Sequence, residues 1–296
     1  MQSVSAKTIL SPYNKNGWFS THYTINLYRG CCHGCIYCDS RSLCYGVDPF
    51  ETITKKANAL EILERELRTK RKTGVVMTGA MSDPYNPFEE GERLTSGALE
   101  LIDRYGFGVM LLTKSSRVLR DVGLLQKIAR HSPACVQITI TAADDAMSKK
   151  IEPFAPASSE RFEAVQALNA ADIPCGVMIT PTLPFITDTK ENITALVQQA
   201  AKAKAAWITY EGGFGVTLRD RQRDYFYQKL DVLFPGLKQA YIQAFGDSYM
   251  CISPNSAALH TCFTKACEAG SLIYKRKDIV QKIHGGFLPE QLSLFP

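Results

Sequence analysis

Six short apolar runs, at 22–28, 74–79, 108–113, 135–140, 173–180 and 206–211, recur along the first 211 residues. Longer segments with helical spacing separate them, near 58–70, 92–105, 118–130, 159–171 and 190–204. In the first of these, Leu60, Leu63 and Leu67 fall on one helical face. Alternating strand and helix units predict a parallel sheet with right-handed crossovers. The pattern alone leaves two α/β arrangements open, a partly closed barrel or an open doubly wound sheet. Both put a ligand site at the C-terminal ends of the strands. After about residue 215 the alternation stops. Residues 221–243 read as helices interrupted at Phe234-Pro235-Gly236, and 257–283 read as helical. The expected organisation is a domain over 1–215, an extension over 216–288 and a tail over 289–296.

Of the 296 residues, 45% are hydrophobic and 21% charged, which predicts a globular domain with a sizeable core. No apolar run reaches the length of about 18 residues that a membrane helix needs. The first fifteen residues, MQSVSAKTILSPYNK, lack the apolar centre of a secretion signal. A cytoplasmic protein with no membrane partner is expected. The net charge of +5 permits a nucleic-acid partner without demanding one.

Ten cysteines in such a chain point to metal or catalysis where they cluster, because cytosolic thiols stay reduced. Cys31, Cys32, Cys35, Cys38 and Cys44 fall within fourteen residues. Cys135 and Cys175 lie in apolar runs and read as core. In the run GCCHGCIYCDS, Cys31, Cys35 and Cys38 have the spacing C-x3-C-x2-C. Zinc sites usually pair two C-x2-C knuckles, and no second knuckle follows here. A cubane held by three thiolates keeps one iron open for another ligand. Gly30 and Gly34 let the loop fold tightly. A zinc site or a chance cluster of thiols is the competing reading. Cys32 and Cys44 break the spacing and take no ligand role.

This spacing, with Tyr37 before the last cysteine, resembles the motif of the radical S-adenosylmethionine (SAM) superfamily. The resemblance implies a 4Fe-4S cluster on Cys31, Cys35 and Cys38, with SAM chelating the open iron. One electron, from an electron donor, then cleaves SAM to methionine and a 5′-deoxyadenosyl radical that takes a hydrogen atom from substrate. With it comes the expected fold, a partial (βα)6 TIM-type barrel with a helical C-terminal extension.

The resemblance extends to strand ends. Ser82 and Asp83 match the place that meets the SAM ammonium, although a capped strand-to-helix turn explains them as well. Lys114 matches a position reaching the SAM carboxylate or ribose, and Thr139 a hydroxyl toward the same groups. Ile179 is expected against adenine, with core packing as its alternative. Arg161 is expected in a structural salt bridge. The order Y-R-G-C-x-H-G-C-x-Y-C, S-D-P-Y, T-K-S, I-E-P, R-F-x-A and P-x-L-P-x-I-T-D resembles the spore photoproduct lyase-like group, also described as DNA repair photolyase-type. It covers about residues 10–250 and implies DNA as substrate. In the lyase a cysteine three residues before the Asp-Pro step returns a hydrogen atom to the product; here that position is Ala80. Cys175, Tyr85 and Tyr210 are the substitutes considered, and thymine-dimer repair itself is not expected. Action on RNA, protein or a small molecule is the alternative.

The run Gln291-Leu292-Ser293-Leu294-Phe295 resembles the peptide by which bacterial polymerases and repair factors bind the sliding clamp. Leu292, Leu294 and Phe295 would fill an apolar pocket while Gln291 fixes register. Gly285-Gly286 and Pro289 suit a leash. Docking of the tail on its own domain is the alternative. Cys251, Cys262 and Cys267 follow no known cluster spacing and read as core thiols. His33 is a candidate to tune the cluster, with a solvent-facing loop histidine as the alternative, and Glu211-Gly212-Gly213 is a candidate to meet substrate. Arg219, Arg221 and Arg223 with Tyr225 and Tyr227 could track a phosphate backbone, or form an ordinary solvated helix face.

Overall fold

The structure is a computed structural model that describes residues 1–13, 18–210 and 213–285. The main sheet has seven strands: β1 (Ser11–Pro12), β2 (Tyr23–Ile25), β3 (Val75–Thr78), β4 (Gly108–Thr113), β5 (Ala134–Thr139), β6 (Cys175–Met178) and β7 (Ile208–Thr209). They lie side by side in chain order. β2 to β7 are all parallel, and β1 pairs antiparallel on the edge of β2. Each crossover therefore steps to the next strand in the same direction, which rules out the reversal of a doubly wound sheet. Among the described residues no pairing joins β7 to β1, so the sheet stays open.

Stepping always one way with right-handed crossovers puts every crossover helix on one face. Helices Ala59–Arg68, Leu94–Arg104, Val122–Ala129, Ser158–Ala170 and Lys190–Lys202 do pack there, against Val76, Val109, Leu111, Val136, Ile138 and Val177. The opposite face carries Val75, Met77, Met110, Leu112, Cys135 and Met178, and helix Arg276–His284 covers it through Ile279 and Ile283. Strands covered on both sides lose the alternation of a half-exposed strand, which explains the unbroken apolar runs in the sequence. Gln137 is the fully buried polar residue of β5, and its side chain accepts the indole N–H of Trp207 at 2.6 Å. That indole fits because residue 176 is glycine: a Cβ there would stand 2.1 Å from Trp207 Nε1.

The extension is not wholly helical. β8 (Gly215–Thr217) and β9 (Met250–Ile252) form an antiparallel hairpin around helices Gln222–Leu233 and Leu237–Phe245. The break between those helices falls at Pro235-Gly236, as expected. Helix Ser256–Ala269 buries Phe263 and Cys267 in the same core as helix Lys190–Lys202. The run 22–28 also divides. Tyr23–Ile25 joins the main sheet, and Tyr28–Arg29 pairs instead with Thr54–Lys56 in a three-stranded sheet completed by Ser3–Val4. Among the described residues no helix is long and apolar enough to cross a membrane.

Candidate functional site

A cavity of about 440 Å3 opens at the C-terminal ends of the strands. The loop after β2 contributes Cys31, Cys35, Tyr37 and Cys38, the loop after β3 Ser82 and Asp83, the end of β4 Lys114, and β5 Thr139. Eight of the nine metal- or cofactor-binding candidates thus line one space. Ile179 is the exception. It is fully buried in the layer between strands and helices. Successive side chains alternate across a sheet, so Met178 faces the cavity and Ile179 faces the helices. Thr180 and Pro181 return to the cavity wall.

The cysteine loop is held by backbone bonds. Cys31 N donates to Phe50 O at 2.9 Å, and Ile36 N donates to Ile151 O at 3.0 Å. Gly30 has φ +78°, and a Cβ there would stand 2.4 Å from Thr52 O, so only glycine fits. The Ser82 hydroxyl donates to Gly30 O and ties the β3 loop to this turn.

Burial pushes the Cys31 and Cys35 thiols up to about 12 and Cys38 to about 11, and each is raised further by a neighbouring cysteine of the three. Thiols this close and this desolvated stay protonated until a cation takes up their charge. Three soft thiolate donors on one loop, facing one cavity, are a donor set that fits a 4Fe-4S cluster held by three cysteines.

Asp83 is the most tied of the polar groups. Its Oδ1 accepts from Tyr85 N at 2.9 Å and Thr113 Oγ1 at 2.7 Å, and Oδ2 accepts from Lys114 N at 2.8 Å. His33 Nε2 sits 3.0 Å from Oδ2. Burial opposes ionisation, but His33 and these hydrogen bonds bring the carboxyl down to about 2. Asp83 therefore joins the cysteine loop to the ends of β3 and β4, and the turn-capping reading describes it well.

Behind the loop, Tyr37 donates its hydroxyl to Glu152 Oε1. Glu152 Oε2 pairs with Arg161 at 2.6 Å, and Arg161 donates to Thr139 O at 2.9 Å. Arg161 is thus structural, as expected. Lys114 Nζ lies 5.7 Å from the Tyr37 ring centre. Burial works against its charge, yet Cys35 and Glu152 raise its pKa overall. An ammonium held charged in this wall can meet a carboxylate.

Several candidates lie elsewhere. Tyr85 is fully buried and donates to Asp121, Cys175 is core, and Tyr210 stacks on Phe214. None of the three lines the cavity, whereas Ala80 does. Cys251 and Cys267 belong to separate cores, and Cys262 touches Thr194 at 3.1 Å. The arginines are spent internally: Arg219 on Asp39 and Tyr249, Arg221 on Asp48, and Arg223 on Gly246 O and Ser248 O. Glu211 and Gly212, like Gln291, Leu292, Leu294 and Phe295, lie outside the described residues.

The sequence reading missed the far wall. Gly215, Val216 and Thr217 of β8 face the cavity with Tyr249 and Met250. Two strands of three residues, 33 positions apart, carry almost no periodic signal; only the apolar alternation of Val216 with Leu218, both buried, hints at them.

The family model described as the radical SAM superfamily matches residues 25–198, more than half of the chain. An uncharacterised protein of Mycobacterium tuberculosis strain H37Rv is 32% identical over 247 residues, covering 80% of this chain and 71% of that one. An uncharacterised protein of Methanocaldococcus jannaschii is 31% identical over 189 residues, covering 62% of this chain and 68% of that one. Spore photoproduct lyase in complex with dinucleoside spore photoproduct has a similar fold. Its TM-score is 0.68 at 16% identity, over 93% of this chain and 81% of that one. A radical S-adenosylmethionine methyltransferase from Kitasatospora setae, bound to tryptophan and a SAM analogue, reaches a TM-score of 0.55 at 11% identity, over 82% of this chain and 51% of that one. The family match, on a chain whose strand ends gather three thiols into one cavity, means that this protein belongs to the radical SAM superfamily.

Proposed function

We propose that this chain is a radical SAM enzyme that acts on DNA in repair and is tethered to the sliding clamp by its tail. Its frame is read as a partial (βα)6 TIM-type barrel that presents the strand ends to the cofactors. The carrying observation is the shared wall: Cys31, Cys35 and Cys38 line the same cavity as Lys114, Thr139, Ser82 and Asp83. A 4Fe-4S cluster held there supplies, when bound, the electron that splits the sulfonium carbon–sulfur bond of SAM. The chain's own residues bind and orient. Lys114 is read as holding the carboxylate end of SAM, Thr139 the ribose, and Ser82 and Asp83 the ammonium. The adenine reading moves from Ile179 to its neighbours Met178 and Thr180-Pro181 in the wall. Val216 and Met250, from β8 and β9, add apolar side chains to the wall and are read as limiting water there.

DNA as substrate rests on motif order and on likeness of fold to a lyase that binds a dinucleoside photoproduct. Ala80 offers no S–H where that motif order places the lyase's donor, so the reaction is read as distinct from thymine-dimer lysis. The test is anaerobic reconstitution with iron and sulfide, then dithionite and SAM. Formation of 5′-deoxyadenosine and methionine is expected, and its loss in Cys35→Ala. Tetrahedral zinc in the loop, or a cluster with four protein ligands, would overturn the reading. For the substrate, DNA binding that weakens as salt rises is expected; no DNA binding at low salt would leave RNA, protein or a small molecule.

A further inference from the structure

A second recess of about 150 Å3 backs onto the main cavity and shares Ser40, Met81 and Ser82 with it. Its charged lining residues are Arg29 and Lys56, and no carboxylate is among those that line it. The two cations come from neighbouring strands. Arg29 stands opposite Thr54, two residues from Lys56, so both project from the same face of the small sheet. Arg29 donates to Gly46 O at 2.8 Å, which leaves other N–H groups of its guanidinium to spare. No hydrogen bond or ion pair reaches Lys56 Nζ among the described residues. Burial first, and then the like charge of Arg29, lower the Lys56 pKa. Glu66, outside the recess, offsets part of this through its charge, but no carboxylate lines the recess itself, and an anion between Arg29 and Lys56 would offset both charges there. At roughly 30 Å3 per water, the recess has room for a tetrahedral phosphate with some of its waters.

We propose that Arg29 and Lys56 form a phosphate subsite that holds a phosphodiester of the substrate seated in the adjoining cavity. The proposal rests on the reading of the larger cavity as the reaction site, and it narrows the substrate to one that carries phosphate. Lys56 supplies a point charge, and Arg29 a fork of parallel N–H donors.

The test is equilibrium binding to the full-length chain of three probes: inorganic phosphate, a dinucleoside monophosphate and its neutral methylphosphonate analogue. Binding of the dinucleotide is expected to fall about tenfold or more in Lys56→Gln and in Arg29→Gln, and to be largely kept in Lys56→Arg. The neutral analogue should bind weakly and respond little to either substitution. If Lys56→Gln fails to fold, Arg29→Gln carries the comparison alone. Dinucleotide binding unchanged by both substitutions overturns the proposal, as does binding of inorganic phosphate alone. Binding needs no reductant, so its failure is distinct from a failure to form 5′-deoxyadenosine, which would strike the reading of the larger cavity instead.

Discussion

Glu152 and Arg161 meet at 2.6 Å with both side chains fully buried, directly behind Tyr37 of the cysteine loop. Burial alone would raise the Glu152 pKa, but Arg161, then Lys114, hold it low. Arg161 also donates to Pro156 O at 2.8 Å and Thr139 O at 2.9 Å. One ion pair thus fastens the cluster loop, the end of β5 and the start of helix Ser158–Ala170. Arg161→Met would strand a buried carboxylate, and a loss of about 3–5 kcal/mol in urea unfolding is expected. The double variant Glu152→Met with Arg161→Met should recover part of that loss. If the double variant is no more stable than Arg161→Met, the cost lies in packing and not in the unpaired charge.

Asp83 sets a pH dependence. Its carboxyl sits at about 2 in the fold against an ordinary 3.8. The folded chain therefore prefers the ionised form, and the contribution is complete above the ordinary value. It is lost as pH falls through the range between the two values. The shift corresponds to about 2 kcal/mol at neutral pH. Before cluster loading, the difference in stability between the parent chain and Asp83→Asn should shrink steadily from pH 5 to pH 2. A constant difference over that range would contradict the role given to this carboxylate.

The parallel sheet was legible because its strands are buried on both faces and its helices on one. Strand β4 at Gly108–Thr113 coincides with the apolar run, and the five crossover helices fall within a few residues of their expected bounds. The order of the strands was not legible, since periodicity says nothing of which neighbour a strand chooses. Ile179 shows the limit at the site. A run such as IPCGVMIT is apolar on both faces, so nothing in it marks which residues turn toward the cavity. The Arg29–Lys56 recess was hidden for another reason: Lys56 belongs to a three-residue strand whose partners lie at Ser3–Val4 and Tyr28–Arg29, distant in the chain.

The cysteines should separate by role. Cys31→Ala, Cys35→Ala and Cys38→Ala are each expected to lose most of the bound iron and sulfide after anaerobic reconstitution. Cys44→Ala should retain both, because Cys44 is exposed and contacts Arg219 at 3.3 Å instead of facing the cavity. Iron content and the visible absorbance of the cluster read this directly. Loss of iron in Cys44→Ala equal to that in Cys35→Ala would assign the ligands wrongly.

Gly79 controls the β3 loop. It has φ +97°, and a Cβ would stand 1.8 Å from Leu112 O. That atom is backbone of β4 and has little freedom to move. Gly79→Ala is expected to cost about 2 kcal/mol from the clash and the left-handed backbone together. Ser82 and Asp83 follow in the same loop, so SAM affinity should fall as well. Unfolding curves and SAM titration check the two effects separately, and parent-like values in both would refute the constraint.

Residues 291–295 are read as the clamp-binding peptide. In a peptide of this kind a few apolar side chains carry most of the affinity, and the polar residue mainly fixes register. Leu294→Ala or Phe295→Ala should then weaken binding of the full chain to a bacterial sliding clamp by tenfold or more, since the loss of a buried anchor costs about 2 kcal/mol. Gln291→Ala should cost less. Deletion of 290–296 should abolish clamp binding while leaving formation of 5′-deoxyadenosine at the parent level. A synthetic peptide of residues 286–296 should compete with the full chain for the clamp. Absence of clamp binding in the intact protein, or binding that survives the deletion, would separate this chain from clamp-tethered repair and leave the radical chemistry standing by itself.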